Sequence, residues 1–307
     1  MEFLYFLENL RTPFLDGVFS LITHLGEETF FIILGLFVFW CVNKKEGYYL
    51  LTVGFVGTIF NQFLKLWFRI PRPWIKDSSF TIVEAARNQA TGYSFPSGHT
   101  QSSVGVWGAL ARWNKNLPFR IICIALCVLV PFSRMYLGVH TPMDVLVSVL
   151  IALILIFGIY PVFHKQFESK RAMRIIFSSM VLLSVIFLIF VSFYDFPKDI
   201  DINNLKSGIK NAYKLLGCTV GVFISYEFNE KFNDFETKAS VVGQILKFVI
   251  GIIPVIIIKE GMKPVLSCIF GEWYIKDSIR YFILVLFAGC IWPLTFGWFS
   301  KLFKAKK

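Results

Sequence analysis

Three short stretches of this chain concentrate residue types that handle phosphate. Lys65-Leu-Trp-Phe-Arg-Ile-Pro-Arg72-Pro73 ends one apolar run, and Tyr93-Ser-Phe-Pro96-Ser97-Gly98-His99-Thr100 opens another. Ser133-Arg134-Met-Tyr-Leu-Gly-Val-His140-Thr-Pro-Met-Asp144 lies between two more. Lys65, Arg72 and Arg134, gathered in one place, demand an anion, because unmatched charge beside apolar surroundings is costly. Arginine offers a planar fork of donors that suits phosphate oxygens, and lysine adds a point charge. Pro96-Ser97-Gly98 enters a helix whose free N–H groups favour an anion, and Gly98 carries no side chain to hold a ligand away. His99 and His140 are two of only four histidines. Neutral imidazole is a usable nucleophile and imidazolium a usable acid. Asp144 stands four residues past His140, one helical turn away, where it can hold one ring N–H and leave the other nitrogen free.

Each of these residues also has a structural reading. Thr141-Pro142-Met143-Asp144 has the form of an N-cap, a proline at the first helical position and an acid at the third, which is compatible with a catalytic Asp144. Ser97 alone reads as an N-cap. Lys65 and Arg134 at span ends would ordinarily be snorkelling cations, and it is their spacing to Arg72 and His140 that argues otherwise. Arg69 reads as interfacial. Tyr93 and Ser94 either line the pocket or pack the loop. His24 and His164 match no motif and are expected at the surface. Lys247, inside an apolar run, either snorkels or pairs within the bundle.

The elements that must position these residues follow from composition. Of 307 residues, 56% are hydrophobic, 18% aromatic and only 17% charged. No soluble fold hides that much apolar surface, and disordered chains are apolar-poor. Six cysteines are too sparse for a disulfide scaffold. The net charge of +11 has no interleaved basic-aromatic stripe, so nucleic acid is not expected as a partner; the bilayer is. A span needs about 20 mostly apolar residues. About nine candidates result, over 28–43, 47–70, 98–114, 118–135, 142–163, 174–194, 208–226, 240–259 and 279–300. The expected fold is all-α, a polytopic transmembrane helix bundle. Residues 1–27 form an amphipathic interfacial segment broken near Pro13, 28–194 the core of six spans with the three motifs, and 195–307 three C-terminal spans. Basic residues in short loops (Lys44, Lys45, Lys115, Arg120, Lys165, Arg171) and the tail Lys304, Lys306 and Lys307 favour the cytoplasm for those segments. The N-terminus and all three motifs then face outside. Loops 195–213 and 260–278 either cover the site mouth or simply connect.

The pattern K-x6-RP, then PSGH, then SR-x5-H-x3-D resembles the type 2 phosphatidic acid phosphatase superfamily, which includes membrane lipid phosphatases, glucose-6-phosphatase and vanadium haloperoxidases. The resemblance implies that His140 attacks phosphorus, that Asp144 orients it, and that His99 protonates the leaving alkoxide and then activates water. Lys65, Arg72, Ser97, Gly98 and Arg134 would hold the phosphoryl oxygens. No metal and no cofactor are implied, since three cations and helix amides already neutralise the developing charge. The expected activity is hydrolysis of a membrane lipid phosphate monoester or pyrophosphate at the outer face of a bacterial plasma membrane. A phosphatase for a small soluble ester such as glucose 6-phosphate, a lipid phosphotransferase, and a transporter on the same fold are the alternatives.

Overall fold

The computed structural model describes residues 1–301; the basic tail Lys304, Lys306 and Lys307 lies outside the described residues. Every regular element among the described residues is helical. Two short helices, α1 (Glu2–Asn9) and α2 (Pro13–Thr23), precede α3 (Glu28–Phe37), α4 (Lys44–Phe68) and the single turn α5 (Pro73–Lys76). Then come α6 (Gly98–Trp113), α7 (Leu117–Tyr136), α8 (Pro142–Gln166), α9 (Lys170–Phe193) and α10 (Ile202–Phe232). The chain continues through α11 (Val241–Ile256), α12 (Met262–Phe270), α13 (Ile275–Leu286) and α14 (Phe296–Lys301).

Among the described residues, six helices are long and apolar enough to cross a membrane, or seven if the pair Pro13–Gly26 and Glu28–Val42, bent by 54°, is one span. The expected nine is not confirmed, and polar side chains account for two of the differences. The run 98–114 forms α6, but its 16 residues reach only about 24 Å and include Gln101, Ser102, Ser103 and Arg112. The run 208–226 lies inside α10, which is long enough at 31 residues but carries Lys206, Lys210, Lys214, Glu227, Glu230 and Lys231. The apolar segment expected to stop at 259 continues, as Val241–Phe270, through much of what reads as a polar loop.

Local sequence sets the helix ends. Ser97, Asn116, Ser169 and Ser240 cap α6, α7, α9 and α11, each accepting from a backbone N–H three residues on. At the end of α4, Pro71 disfavours helical geometry at Ile70. Arg69 turns into the left-handed region (φ 51°), and its Nη1 donates to the Leu66 carbonyl at 3.0 Å, satisfying one terminal acceptor. Gly138, at φ 80°, reverses the chain after α7.

The contacts divide the chain into two compact units. The first comprises Met1–Ile32, Val56–Val162 and Asp195–Gly208. Within it α6 packs along α7. Leu4, Phe80 and Ile82 form one apolar cluster, and Tyr136, Leu137 and Val139 another with Leu15 and Phe19 of α2. All three phosphate-type motifs belong to this unit.

The second unit comprises Ile33–Phe55, Phe163–Tyr194 and Ile209–Lys307. Trp40 is buried and donates to the Ala288 carbonyl at 2.8 Å. Asn229 donates to Tyr48 Oη (3.2 Å) and the Gly289 carbonyl (2.8 Å). Lys247 resolves as an interior cation: it is buried, donates to the Thr237 carbonyl at 2.8 Å and lies over the Phe296 ring. His164, expected at the surface, is only partly exposed and places Nε2 3.1 Å from the Glu46 carboxylate. In this unit α10 approaches α13 so closely that a Cβ on Gly217 would overlap the Ser278 carbonyl oxygen.

That contact gives a first prediction. Gly217→Val forces backbone against side chain, and overpacking of this kind costs about 1–3 kcal/mol or more. The apparent thermal midpoint of the detergent-solubilised protein should fall by roughly 5 °C or more. Gly158→Ala, in α8 where a Cβ meets nothing within 4 Å, should leave it unchanged or slightly raised.

Candidate active site

Four helix ends and one loop carry the motif residues. Lys65 sits in the last turn of α4, Ser97 and Gly98 start α6, Arg134 is in the last turn of α7, and Asp144 is in the first turn of α8. Lys65, Arg72, Ser97, Arg134, His140 and Asp144 are all buried.

The Arg72 guanidinium is held by the backbone around it. Nε donates to the Gly92 carbonyl (3.1 Å), Nη2 to Thr91 (2.8 Å) and Nη1 to Val139 (2.9 Å). Nη1 also lies 2.9 Å from His140 Nε2. An arginine N–H can only donate, so Nε2 is the accepting nitrogen and the neutral ring carries its proton on Nδ1. That nitrogen faces Asp144 Oδ2 at 3.4 Å. Burial, followed by the charges of Arg72, Lys65 and Arg134, pushes the His140 pKa well below its ordinary value.

Asp144 is fixed from several sides. Its Oδ2 accepts from Ser94 Oγ at 2.6 Å and from the Thr141 amide at 2.7 Å, while the Asp144 amide donates to Thr141 Oγ1 at 3.3 Å. Thr141 and Asp144 thus form the reciprocal cap that the Thr-Pro-Met-Asp sequence announces, and the same carboxylate faces the histidine. The Ser97 amide donates to the Asp144 carbonyl (3.1 Å), and Ser148 Oγ bonds the Ser97 carbonyl (2.9 Å), tying the start of α6 to α8. Ser97 Oγ takes the Thr100 hydroxyl at 2.9 Å.

Lys65 Nζ donates to the carbonyl of Tyr93 and, at 3.5 Å, to that of Ser94. The Tyr93 hydroxyl in turn accepts the Asp201 amide at 3.3 Å, so segment 195–208 is bonded to the site loop and is more than a connector. Gly98 has room beside it, since a Cβ there would meet only Asn61 Oδ1 at 3.7 Å. Buried nitrogens without a hydrogen-bond partner in the protein remain: Nε and Nη2 of Arg134 and Nε2 of His99.

Every motif residue is thus in one unit. Lys65, Arg72, His140 and Asp144 are linked directly or through the loop 91–94, and Ser97 through the Asp144 backbone. His99 and Arg134 bond to none of these side chains; they join the site by proximity and by their unfilled nitrogens. Two contributors escape a reading of the motifs alone. Ser94 is resolved as a bond to the histidine-facing carboxylate. Thr23, at the end of α2, accepts from Arg134 Nη1 at 2.7 Å across 111 residues of sequence; nothing in its local sequence announces this. Among the described residues, no group of three or more His, Cys, Asp or Glu side chains is disposed to hold a metal ion.

The chain matches the PAP2 superfamily over residues 46–168 and the transmembrane extension of PAP2 superfamily phosphatases over residues 213–306. It is 34% identical over 174 residues to phosphatidylglycerophosphatase B of Bacillus subtilis, covering 52% of this chain and 79% of that protein. Undecaprenyl-diphosphatase BcrC of the same bacterium is 28% identical over 143 residues, 46% of this chain and 71% of that one. Human sphingosine-1-phosphate phosphatase 2 is 23% identical over 286 residues, 86% of this chain and 69% of its own. No solved structure gives a significant match. With its apolar spans, its extent of similarity and its three intact motifs, the chain belongs to the PAP2 superfamily and is an integral membrane phosphatase.

Proposed function

We propose that the protein hydrolyses a lipid phosphate monoester or pyrophosphate at the outer membrane face, through a phosphohistidine on His140 and without a metal. The observation that carries this reading is the buried imidazole whose Nε2 lone pair accepts an N–H from Arg72 at 2.9 Å. A histidine so held is neutral and aimed, and the same N–H is available to a phosphoryl oxygen. Nε2 attacks phosphorus as the P–O bond to the leaving group breaks, and His99 gives that oxygen a proton. Water then attacks the phosphohistidine, passing its proton to His99 as the P–N bond breaks and His140 leaves neutral. Asp144 keeps the Nδ1 proton directed and offsets the charge that forms on the ring. Arg134, Arg72, Lys65, the Ser97 hydroxyl and the Gly98 amide at the start of α6 stabilise the equatorial oxygens, supplying the charge neutralisation that a metal provides elsewhere.

Support for a lipid substrate comes from the relatives, named for phosphatidylglycerophosphate, undecaprenyl diphosphate and sphingosine 1-phosphate. Support for the outer face comes from charge. The site lies at the C-terminal ends of α4 and α7 and the N-terminal ends of α6 and α8, whereas Lys44, Lys45, Lys115, Arg120 and Lys165 flank the opposite ends of these helices. This basic bias supports the non-cytoplasmic side of a plasma membrane for the site.

Purified protein given these three lipids and glucose 6-phosphate should release phosphate from a lipid, with EDTA present and with inhibition by vanadate. Preference for the sugar ester would overturn the lipid assignment. His140→Ala should lose activity by about three orders of magnitude or more. With p-nitrophenyl phosphate, whose leaving group needs no proton, His99→Ala should accumulate an acid-labile phosphoenzyme; a quench that traps none counts against the covalent step. Because the His140 pKa is lowered, the nucleophile stays neutral as pH falls below the ordinary histidine value. The acid limb of kcat/KM that belongs to the enzyme, once the substrate's own ionisation is accounted for, should therefore lie below about pH 6.5; an enzyme limb at or above that value contradicts the assignment.

A further inference from the structure

We infer that Thr23 is a positioning residue that turns Arg134 so that its two-donor edge faces the phosphoryl group. This rests on the proposed phosphoryl site. Arg134 and Thr23 are both buried, at 0% and 1% exposure, and Arg134 Nη1 donates to Thr23 Oγ1 at 2.7 Å. The other two donor nitrogens, Nε and Nη2, are buried and without partners. These two lie on one side of the guanidinium and form the fork that accepts two oxygens of one anion. The same edge is filled elsewhere in this protein: Arg174 grips Glu227 through Nε and Nη2 at 2.7 and 2.9 Å, and Arg87 grips Glu84 at 2.7 and 2.7 Å. In Arg134 the fork is formed and unfilled.

The segment bearing Thr23 is itself anchored to the third motif. A Cβ on Gly26 would come within 2.9 Å of both the His99 carbonyl oxygen and Val130 Cγ1, so the chain after α2 runs hard against α6 and α7. Tyr136 Oη donates to Asp16 (2.9 Å), and Arg11 Nε donates to the Tyr136 carbonyl (3.1 Å). The hydroxyl is therefore a fixed reference point and not a passing contact. Its chemistry also suits the role. A hydroxyl holds Nη1 without neutralising the guanidinium, leaving the full charge for a phosphate. The acid of this corner, Glu27, is engaged with His24 Nδ1 at 2.6 Å.

The test compares wild type, Thr23→Val and Thr23→Ser as full chains in lipid–detergent micelles. Three quantities are read: kcat/KM on the lipid that is turned over, the inhibition or binding constant of orthovanadate, and the thermal midpoint. Removing a hydrogen bond to a charged group should lower kcat/KM for Thr23→Val about 10- to 100-fold and weaken vanadate by a similar factor. Thr23→Val should still unfold cooperatively, with a midpoint lowered by no more than about 10 °C, since the side-chain shape is kept while one donor of a buried cation loses its acceptor. Thr23→Ser should retain activity within about threefold of wild type. Unchanged kinetics in Thr23→Val would overturn the inference, as would equal losses in both variants or lost activity with unchanged vanadate affinity. If the valine variant fails to fold, Thr23→Ala is compared with Thr23→Ser by the same criteria. Should the wild type turn over none of the lipids, the phosphatase reading fails by itself, and vanadate binding still decides the role of Thr23.

Discussion

Three cations buried in one place, with one facing carboxylate, form the constraint around which this unit is built. Lys65, Arg72 and Arg134 are at most 5% exposed, and charge taken from water must be compensated by partners close at hand. Backbone carbonyls do most of that work. Thr91, Gly92 and Val139 surround Arg72, and Tyr93 and Ser94 receive Lys65. The loop from 91 to 97 therefore has its conformation set by what the cations need, and the same loop delivers Ser94 to Asp144 and Ser97 to the start of α6. Arg134 is the least satisfied of the three, with one nitrogen held by Thr23 and two without a partner.

Helix ends do the positioning. Their unpaired amides and carbonyls must find partners somewhere, and in this unit they find the motif residues. Thr141 and Asp144 close the start of α8 reciprocally, and Ser97 closes the start of α6. Arg69 covers a carbonyl at the end of α4, one turn beyond Lys65. The cap and the carboxylate that faces His140 are thus one residue, Asp144. Its orientation is fixed by helix formation before any substrate arrives.

Much of this was legible from the residue order. The motif residues, read from short intervals in the sequence, do fall in one unit, and Lys65, Arg72, His140 and Asp144 are linked there directly or through one loop. The Thr-Pro-Met-Asp cap was readable for the same reason, being local. The tether from Thr23 was not, since it joins residues 111 apart in sequence and a threonine near a helix end has many ordinary uses. The count of nine spans is not confirmed, for a different reason. Residues 98–114 and 208–226 do form helices, but Gln101 and Ser103, or Lys206, Lys210 and Lys214, make them poorer lipid-facing segments than an apolar tally suggests. Lys247 was undecidable from its apolar neighbours because its partner, the Thr237 carbonyl, is a backbone atom and leaves no mark in composition.

The bond between Arg72 Nη1 and His140 Nε2 makes the imidazole an internal stand-in for an anion oxygen. In the mechanism proposed above, a phosphoryl group would claim that same donor on arrival, so the ring and the substrate would compete for one N–H. Departure of phosphate would return the donor to the ring. Arrival and departure would then be two directions of one exchange, in which the protein replaces its ligand with a group of its own, while the Nε and Nη2 edge of Arg134 has no such substitute.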